Sequence, residues 1–174
     1  MQPHETTILD LGCGPAKHPG AFGVDITEHA DADLRHDLNR YPYPLPARHY
    51  TRIYCQDVIE HVEDIHAFVL EVHRLAAPNA TVEIRTPHFS SWWAYNDPTH
   101  RHVLGYFFLE HYTKASTITP KPLFRILERR FLFSKLHRLG GASFLANRFP
   151  ARYEQLFAFV FPCENLFFRI EALK

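Results

Sequence analysis

The chain has 174 residues, which suits one domain and leaves little room for a second. Hydrophobic residues make up 46% and charged residues 22%, so the composition excludes a disordered chain and predicts a buried core. The formal net charge of zero excludes a uniformly basic surface for nucleic acid, but residues 1–106 hold 8 basic and 14 acidic side chains while residues 107–174 hold 11 and 5.

Short apolar runs rich in β-branched residues alternate with polar segments in the first half of the chain. They predict buried strands at residues 7–11, 22–26, 32–36, 52–55 and 80–84. The clearest helix is predicted at residues 64–77, because apolar residues recur there at spacings of three and four until Pro78. Strands that alternate with helical or loop segments predict an α/β fold with a parallel sheet.

The character of the sequence changes after Pro87. Residues 88–102 are polar and aromatic without periodicity, which predicts a long loop, and such loops in compact domains are usually functional. Further along we expect a helix at 107–113, a strand within 123–133, a break at Gly140-Gly141 and a helix at 150–161. Residues 165–174 predict a final strand that alternates, with one apolar face formed by Leu166, Phe168, Ile170 and Ala172.

Basic and aromatic residues are mixed between residues 121 and 138. The cations are Lys121, Arg125, Arg129, Arg130, Lys135 and Arg138, and the aromatic residues among them are Phe124, Phe131 and Phe133. Such a segment can meet an anionic substrate, nucleic acid or a membrane surface. The more common arrangement is a β-hairpin with a solvated basic face and aromatic side chains in the core, and we expect that arrangement here.

The strongest functional signal is the glycine pair that follows the first predicted strand. The strand ends in Gly12-Cys13-Gly14, where missing Cβ atoms let a ligand approach the backbone, and ligands of open α/β sheets bind at the carboxyl ends of strands. Asp25 closes the second strand and can accept both hydroxyls of a ribose, while Asp37 follows the third strand, where an adenine amine can donate to it. A nicotinamide site fits poorly, because its fingerprint has a third glycine where this chain has Lys17.

Five segments of the chain carry a family resemblance, namely LDLGCG, GVDI, HDLNRYPYPLP, QDVIEHVED and EVHRLAAPNATVEIRTP. They resemble the class I S-adenosylmethionine-dependent methyltransferases and, among these, a compact type 11-like subfamily. The resemblance is close over residues 6–87 and looser in the DPTHRH segment and the closing strand. It implies a Rossmann-like sheet of seven mostly parallel strands with an antiparallel final strand. It also implies S-adenosylmethionine as methyl donor and S-adenosylhomocysteine as product.

The same resemblance implies roles for individual residues. The implied cofactor-binding set is Asp10, Gly12, Gly14, Asp25, Ile26, Asp37, Leu38 and Gln56. The glycines would pass under the methionine moiety, Asp25 would hold the ribose, and Gln56 would lie beside the methionine end. Asp37 and Leu38 would meet the adenine.

The first helix of this fold is predicted to be shortened. Seven residues separate Gly14 from Phe22, whereas a parallel crossover with its helix usually takes about 10–12 residues. The helix amides that normally help to hold the ligand are then missing. The cofactor therefore either binds more weakly or depends on Lys17 or His18.

One candidate catalytic cluster follows the fourth strand. Asp57, Glu60 and His61 stand at i, i+3 and i+4, so they share one face if the segment is helical. The pattern resembles the metal-binding set of the quinone-precursor O-methyltransferases, and histidine also suits a base near neutral pH. The alternative is that Glu60 pairs locally and His61 is packed and hydrogen-bonded. We take His61 as a catalytic candidate and assign no metal.

A second candidate cluster follows the fifth strand, near the expected methyl donor, and comprises His88, Asp97, His100 and His102. His100 or His102 can act as a base that Asp97 orients. The alternative is an Asx-type turn at Asp97, and a metal site here is chemically open although its spacing matches no tight signature. The same loop holds three aromatic candidates for an acceptor wall or a core seal, namely Trp92, Trp93 and Tyr95.

We predict one methyltransferase-like domain over residues 1–174, with a cofactor-binding half at 1–87 and the acceptor loop, C-terminal hairpin and helices at 88–174. The predicted activity is methyl transfer from S-adenosylmethionine to an oxygen or nitrogen of a small molecule. Two alternatives stay open. One is a degenerate domain that binds a nucleoside or a partner without catalysis. The other is a metal-dependent enzyme that uses the His and Asp cluster, with S-adenosylmethionine as substrate.

Cysteine usage and hydropathy bear on the compartment. Cys13, Cys55 and Cys163 are widely spaced and support neither a disulfide framework nor a thiolate zinc site. No signal-peptide pattern is visible, and the longest apolar run, residues 156–161, is far below the ~20 residues of a membrane span. We therefore expect a cytoplasmic protein with a small-molecule acceptor, no clear nucleic-acid partner and no membrane span. A homodimer is left open.

Overall fold

The structure of the chain, a computed structural model, describes residues 1–135 and 141–174. Within these ranges seven strands form one sheet: β1 (Ile8–Leu11), β2 (Phe22–Asp25), β3 (Leu34–Arg35), β4 (Tyr50–Gln56), β5 (Ala76–Pro87), β6 (Phe124–Leu132) and β7 (Asn165–Ala172). The described helices are α1 (Ile65–Leu75), α2 (Trp93–Asn96), α3 (Glu110–Thr113), α4 (Ala142–Arg148) and α5 (Pro150–Leu156). None of these helices is long and apolar enough to cross a membrane.

The strands of the sheet follow the order β3-β2-β1-β4-β5-β7-β6. β1 pairs in parallel with both β2 and β4, whereas β7 pairs antiparallel with both β5 and β6. The predicted α/β architecture, mostly parallel with an antiparallel final strand, is thereby confirmed. The strand order reverses between β1 and β4, so the carboxyl ends of these strands form the crevice where open α/β sheets bind ligands.

No helix connects β1 to β2, so the first helix is absent rather than shortened. Asp10 Oδ2 accepts a hydrogen bond from the amide of His18 at 2.8 Å, and Lys17 Nζ lies 2.6 Å from Asp33 Oδ2. The ring of His18 also stacks on that of Tyr54, with centroids 3.7 Å apart. Side chains from the sheet therefore order this loop in place of helical hydrogen bonds.

Helix α1 begins after Asp64, whose carboxylate accepts a hydrogen bond from the amide of Ala67 and so caps the first turn. Its apolar face is buried as predicted, and the buried side chains include Phe68, Val69, Val72 and Leu75. The helix ends at Leu75, earlier than predicted, because Ala76 is already extended and begins β5. β5 is correspondingly longer than the strand predicted at residues 80–84.

The second half of the chain departs from the predicted elements in four places. The loop predicted at residues 88–102 contains the short helix α2, and the helix predicted at 107–113 is reduced to α3. The helix predicted at 150–161 ends at Leu156 and continues as a turn. Helix α4 was not predicted, and it begins after Gly141, whose φ of 75° favours glycine. Gly140 and Arg138 lie outside the described residues.

β6 and β7 pair antiparallel, but they do not form the predicted β-hairpin, because residues 133–164, which include α4 and α5, separate the two strands. The apolar face of β7 is buried as expected, and so are Phe124, Phe131 and Phe133. Three cations of β6 pair with carboxylates: Arg125 with Glu171 at 2.8 Å, Arg129 with Glu110 at 3.4 Å and Arg130 with Glu128 at 3.2 Å. The basic residues of this strand therefore form a charge-paired surface over an aromatic core.

Candidate functional site

A cavity of about 570 Å³ opens at the carboxyl ends of the parallel strands. Its volume lies within the range of about 300–1,000 Å³ that is common for small-molecule sites. Its lining consists of Gly12, Gly14, Pro15, Asp25, Ile26, Thr27, Asp37, Leu38, Asn39, Asp57, Val58, His61, Val62 and Thr99. Six of the eight predicted cofactor residues are in this lining, namely Gly12, Gly14, Asp25, Ile26, Asp37 and Leu38.

A larger cavity of about 880 Å³ lies between β6 and α4. The described residues that line it are mainly aromatic, aliphatic and basic, and they include no carboxylate. Its described lining therefore offers no carboxylate to accept hydrogen bonds from ribose hydroxyls. The smaller cavity, which has three carboxylates at its wall, is the candidate nucleoside site.

The two glycines after β1 have different structural roles. Gly12 and Gly14 have φ values of 68° and 55°, a conformation that favours glycine. A Cβ on Gly12 would lie 2.0 Å from Cγ2 of Val58, so the missing side chain lets β1 pack against the segment after β4. A Cβ on Gly14 would meet nothing within 4 Å. Gly12 thus serves close packing, and Gly14 leaves open space at the cavity.

Asp25 closes β2 with its carboxylate at the cavity wall. Its Oδ1 accepts hydrogen bonds from the amide and the hydroxyl of Thr27, both at 2.8 Å, and its Oδ2 accepts one from the amide of Gly14 at 2.9 Å. Burial acts to raise the pKa of Asp25, but these hydrogen bonds outweigh it and hold the pKa below its ordinary value. The carboxylate is therefore ionised at neutral pH, and about one of its roughly four acceptor positions is left for a ligand.

The segment after β3, the neighbour of β2 in the sheet, forms the adjoining part of the cavity wall. Asp37 Oδ1 accepts a hydrogen bond from the amide of Asn39 at 3.0 Å, which makes a local turn. Asn39 Oδ1 in turn accepts one from the amide of Glu63 at 2.7 Å and joins this wall to the segment after β4. Asp37 and Leu38 are therefore held in place by a neighbour that sequence patterns did not single out.

Two predicted cofactor residues do not line the cavity. Asp10 is buried and holds the β1–β2 loop through the amide of His18, and burial raises its pKa against that hydrogen bond. Gln56 is the last residue of β4, and the following residue, Asp57, is in the lining instead. Asp57 has a φ of 54° and pairs with Arg85, whose Nε lies 3.1 Å from Asp57 Oδ2.

His61 is joined to Asp97 through a hydroxyl that the sequence analysis missed. Thr99 Oγ1 donates to Asp97 Oδ1 at 2.6 Å and lies 2.9 Å from His61 Nδ1. An ionised carboxylate only accepts hydrogen bonds, so the Thr99 proton points to Asp97 and His61 Nδ1 must donate to Thr99. Neutral His61 then carries its lone pair on Nε2.

The charge states of this relay follow from its surroundings. Burial, reinforced by the neighbouring His100, lowers the pKa of His61. Hydrogen bonds from the hydroxyl and amide of Thr99 hold the pKa of Asp97 below its ordinary value. At neutral pH the arrangement is therefore a carboxylate, a hydroxyl and a neutral imidazole in sequence. The expected Asx turn at Asp97 is present, because Asp97 Oδ1 accepts from the amide of Thr99 at 2.8 Å. The histidine that Asp97 orients through Thr99 is His61, whereas the prediction names His100 or His102.

Residues 57–63 form turns rather than a helix, so the expected common helical face of Asp57, Glu60 and His61 is wrong. Glu60 is instead buried, with Oε2 accepting from the hydroxyl of Thr86 at 3.0 Å and Oε1 left without a partner. Burial raises the pKa of Glu60 to about 7. Glu60, His61 and His100 each offer a ligand atom within 4.8 Å of the others, so this trio has the donors that a divalent cation uses.

Two of the catalytic candidates occupy structural positions. His88 is fully buried, with Nδ1 2.7 Å from Ser90 Oγ and Nε2 3.1 Å from Glu154 Oε1, away from the cavity lining. His102 Nε2 donates to the carbonyl of Val62 at 2.9 Å and also lies outside the lining. The positions of both residues therefore correct the prediction of His88 as a catalytic candidate and of His102 as a candidate base. The aromatic candidates Trp92, Trp93 and Tyr95 are exposed and do not line the cavity either.

His100 lies beside a residue of the cavity wall without lining the cavity itself. It contacts His61, with ring centroids 4.6 Å apart, but is not part of the cavity lining. Its Nδ1 donates to the carbonyl of Ala94 at 3.3 Å, and its Nε2 lies 3.9 Å from Asp97 Oδ2. His100 is thus a neighbour that tunes His61 rather than a residue at the cavity wall.

Solved structures of similar fold were found for the chain. The chain is similar to a SAM-dependent methyltransferase from Archaeoglobus fulgidus, with a TM-score of 0.67 and 18% sequence identity. The match covers 94% of this chain and 85% of that one. It is similar to an S-adenosylmethionine-dependent methyltransferase from Mesorhizobium loti, at TM-score 0.60, 18% identity, 94% of this chain and 90% of that one. It is also similar to phosphoethanolamine N-methyltransferase 2 of Haemonchus contortus in complex with S-adenosyl-L-methionine, at TM-score 0.63, 16% identity, 96% of this chain and 48% of that one.

Sequence comparison gives the family directly. No curated protein matches the chain. A family profile described as a methyltransferase domain matches residues 2–131, which is well over half of the chain. The matched region contains β1 to β5, the cavity and most of β6. The chain therefore belongs to the methyltransferase-domain family and is an enzyme with the class I S-adenosylmethionine-dependent methyltransferase fold.

Proposed function

We propose that the enzyme transfers the methyl group of S-adenosylmethionine to an oxygen or nitrogen of a small molecule, with His61 as the base. The observation that carries this proposal is the relay of Asp97, Thr99 and His61 at the wall of the cavity that also holds Asp25 and Gly14. A nucleoside-binding wall and an oriented imidazole therefore share one cavity. This combination suits methyl transfer to an acceptor that must lose a proton.

The residues fit the donor in charge and space. Asp25 offers one remaining acceptor position of an ionised carboxylate to a ribose hydroxyl, and Gly14 leaves open space beside it. Asp37 and Leu38 offer an acceptor and an apolar contact for adenine in the adjoining part of the wall. When bound, S-adenosylmethionine supplies an electrophilic methyl group on a positively charged sulfur.

The chain's own contribution is alignment and proton removal. His61 Nε2 would take the proton from the acceptor's O–H or N–H as the acceptor receives the methyl group, which the bound donor would give up together with its positive charge. Thr99 and Asp97 keep the Nδ1 proton in place, so the lone pair stays on Nε2. Positioning donor and acceptor in line supplies the rest of the rate enhancement.

Titration calorimetry with S-adenosylmethionine and S-adenosylhomocysteine tests the cofactor half of this proposal. We expect both to bind, and we expect Asp25→Asn to weaken both by about tenfold or more, because a charged acceptor is lost. Glu28→Gln is a matched control, since Glu28 is an exposed carboxylate just beyond the cavity wall. An absence of binding by either ligand would contradict the proposal and favour a degenerate domain.

A divalent cation held by Glu60, His61 and His100 defines the second candidate, a metal-dependent reaction. Its supporting observation is that buried Glu60 keeps one oxygen without a partner, next to two imidazoles. A cation there would act as a Lewis acid that lowers the pKa of an acceptor hydroxyl. Calorimetry with Mn²⁺ and Zn²⁺, and elemental analysis, would show about one ion per chain, lost in His100→Ala and kept in the exposed control His29→Ala. Far less than one ion per wild-type chain would contradict the metal-dependent reaction and leave the base mechanism as the remaining candidate.

A further inference from the structure

Leu145 and Phe157 line one crevice together with Arg152, and they belong to a segment, residues 144–160, that exposes several large apolar side chains outside the cavity described above. We call this the C-terminal face and define it by Phe144, Leu145, Leu156, Phe157, Phe159 and Val160, which come from α4, α5 and the turn after α5. Phe144 is 72% exposed and Phe159 74% exposed. Large apolar side chains exposed in such number within one short segment indicate a binding surface.

The C-terminal face continues onto the loop after β5. The rings of Phe159 and Phe89 lie 5.6 Å apart between centroids, and Trp92 lines a crevice together with Pro162. Trp92 and Trp93 are themselves exposed and contact each other, with ring centroids 4.2 Å apart. The apolar surface therefore ends in a pair of tryptophans, the residue type that favours the headgroup region of a bilayer.

The exposed charges of residues 142–161 are both positive. Arg148 and Arg152 lie over the ring of Phe149, 4.9 Å and 6.0 Å from its centroid, rather than beside a carboxylate of the described residues. The acidic residue of this segment, Glu154, is turned inward, where it accepts from the amide of Tyr106. The face thus has unpaired arginines, in contrast to the charge-paired cations of β6.

We propose that the C-terminal face binds the surface of a bilayer that contains anionic lipids. Side chains that protrude, as Phe144 and Phe159 do, enter a fluid bilayer without needing a complementary shape, and arginine pairs with lipid phosphate. A second copy of the chain is a poorer occupant, because two-fold pairing of this face would bring like-charged arginines together. The proposal is independent of the methyl-transfer assignment.

Vesicle flotation of the full chain tests this proposal. We expect the protein to float with vesicles of phosphatidylcholine and phosphatidylglycerol, much less with phosphatidylcholine alone, and less as salt is raised. Phe144→Ser combined with Phe159→Ser should lower the partition coefficient on the order of tenfold or more, because each buried ring contributes strongly. Leu127→Ser is the matched control, since Leu127 is 47% exposed on β6, outside the face.

A separate double variant tests how much the two arginines contribute to vesicle binding. Arg148→Gln with Arg152→Gln should lower binding to the anionic vesicles about tenfold and flatten its salt dependence. Circular dichroism melting checks that each variant folds. If the double phenylalanine variant does not fold, Leu156→Ser combined with Val160→Ser is tested in its place. No flotation with anionic vesicles would overturn the proposal. So would a dimer, seen by light scattering, that the phenylalanine substitutions dissociate without any vesicle binding in the wild type.

Discussion

The hydroxyl of Thr99 lies 2.9 Å from Nδ1 of His61, although 38 residues separate the two in the chain. This contact decides which imidazole nitrogen is basic, because the same hydroxyl donates to Asp97. In the proposed mechanism, His61 at the cavity wall is thereby a directed base, oriented by a side chain that has no acid–base chemistry of its own near neutral pH. Thr99 is accordingly a positioning residue.

Replacement of Thr99 by valine should lower turnover about 10- to 100-fold, a part of the ~10²–10⁴-fold that a general base contributes. Cofactor affinity should change little, because valine keeps the shape of the side chain. Thr99→Ser retains the hydroxyl and should restore most of the activity. Steady-state kinetics and cofactor titration on both variants separate these effects, and a fully active valine variant would remove the relay from the mechanism.

The three glycines at 12, 14 and 20 form an internally controlled series, since all have positive φ. Gly20→Ala should cost about 1 kcal/mol of unfolding free energy from its backbone alone, because nothing lies within 4 Å of its Cβ position. Gly12→Ala should cost about 2–4 kcal/mol, since its Cβ also meets Val58. Gly14→Ala should match Gly20→Ala in stability yet bind the cofactor more weakly. Denaturant unfolding and calorimetry provide both readouts, and equal stability of all three variants would contradict the packing role of Gly12.

Stability should depend on pH through the ion pair of Lys17 and Asp33. Burial acts to raise the pKa of Asp33, but hydrogen bonds from Lys17 and the amide of Gly23 outweigh it, so the folded pKa lies below the ordinary 3.8. A carboxylate with a depressed folded pKa stabilises the fold fully above its unfolded pKa, and this contribution is lost as pH falls through the folded pKa. Asp33→Asn should therefore lower the melting temperature at pH 7, and the difference from wild type should shrink below about pH 4.

Asp31→Asn is the matched control for this pH series, because Asp31 lies 3.8 Å from the same lysine but is 63% exposed. Its melting temperature should differ little from wild type at any pH, as expected for exposed pairs. A difference between Asp33→Asn and wild type that stays constant into acid would assign the loss to packing instead of charge.

Removal of the His88 side chain should destabilise the fold without an intrinsic catalytic defect. His88→Ala deletes a fully buried ring that packs on Phe131 and bonds to Glu154, so we expect a loss of about 2–4 kcal/mol. His102→Ala, which loses one hydrogen bond to the carbonyl of Val62, should cost about 1 kcal/mol. Chemical unfolding alongside turnover at low temperature distinguishes the two roles. Normal stability with abolished turnover in His88→Ala would restore its catalytic assignment.

Much of the fold could be predicted because strand and helix periodicity depends on local sequence. The alternation of Leu166, Phe168 and Ile170 predicted the buried face of β7, and the spacing in α1 predicted its core face. Short elements failed, since a four-residue helix such as α2 carries too few residues for a periodic signal. The complete loss of the first helix depends on Asp10 and Asp33, whose partners are separated from them in sequence.

The site residues, like the elements of the fold, could be predicted only where they depend on local sequence. Residues directly after a strand, such as Gly14 and Asp25, could be placed at the crevice because strand ends meet at one edge. Residues from the loop after β5 could not, since the contact of Thr99 with His61 depends on how two irregular segments fold against each other. The same reason explains why His88, His100 and His102, close in sequence, lie in three different environments.

The position of β7 constrains the order in which the sheet can be completed. β6 is made some 30 residues before β7 during synthesis, yet it pairs with β7 and not with β5. Until residues 165–172 are available, the edge of β5 stays open and β6 has no partner strand in the described sheet. A nascent or truncated chain that stops earlier therefore exposes an unpaired hydrophobic edge, which is the template for aggregation. Synthesis through residue 172 is in this sense required before β5 and β6 are both paired.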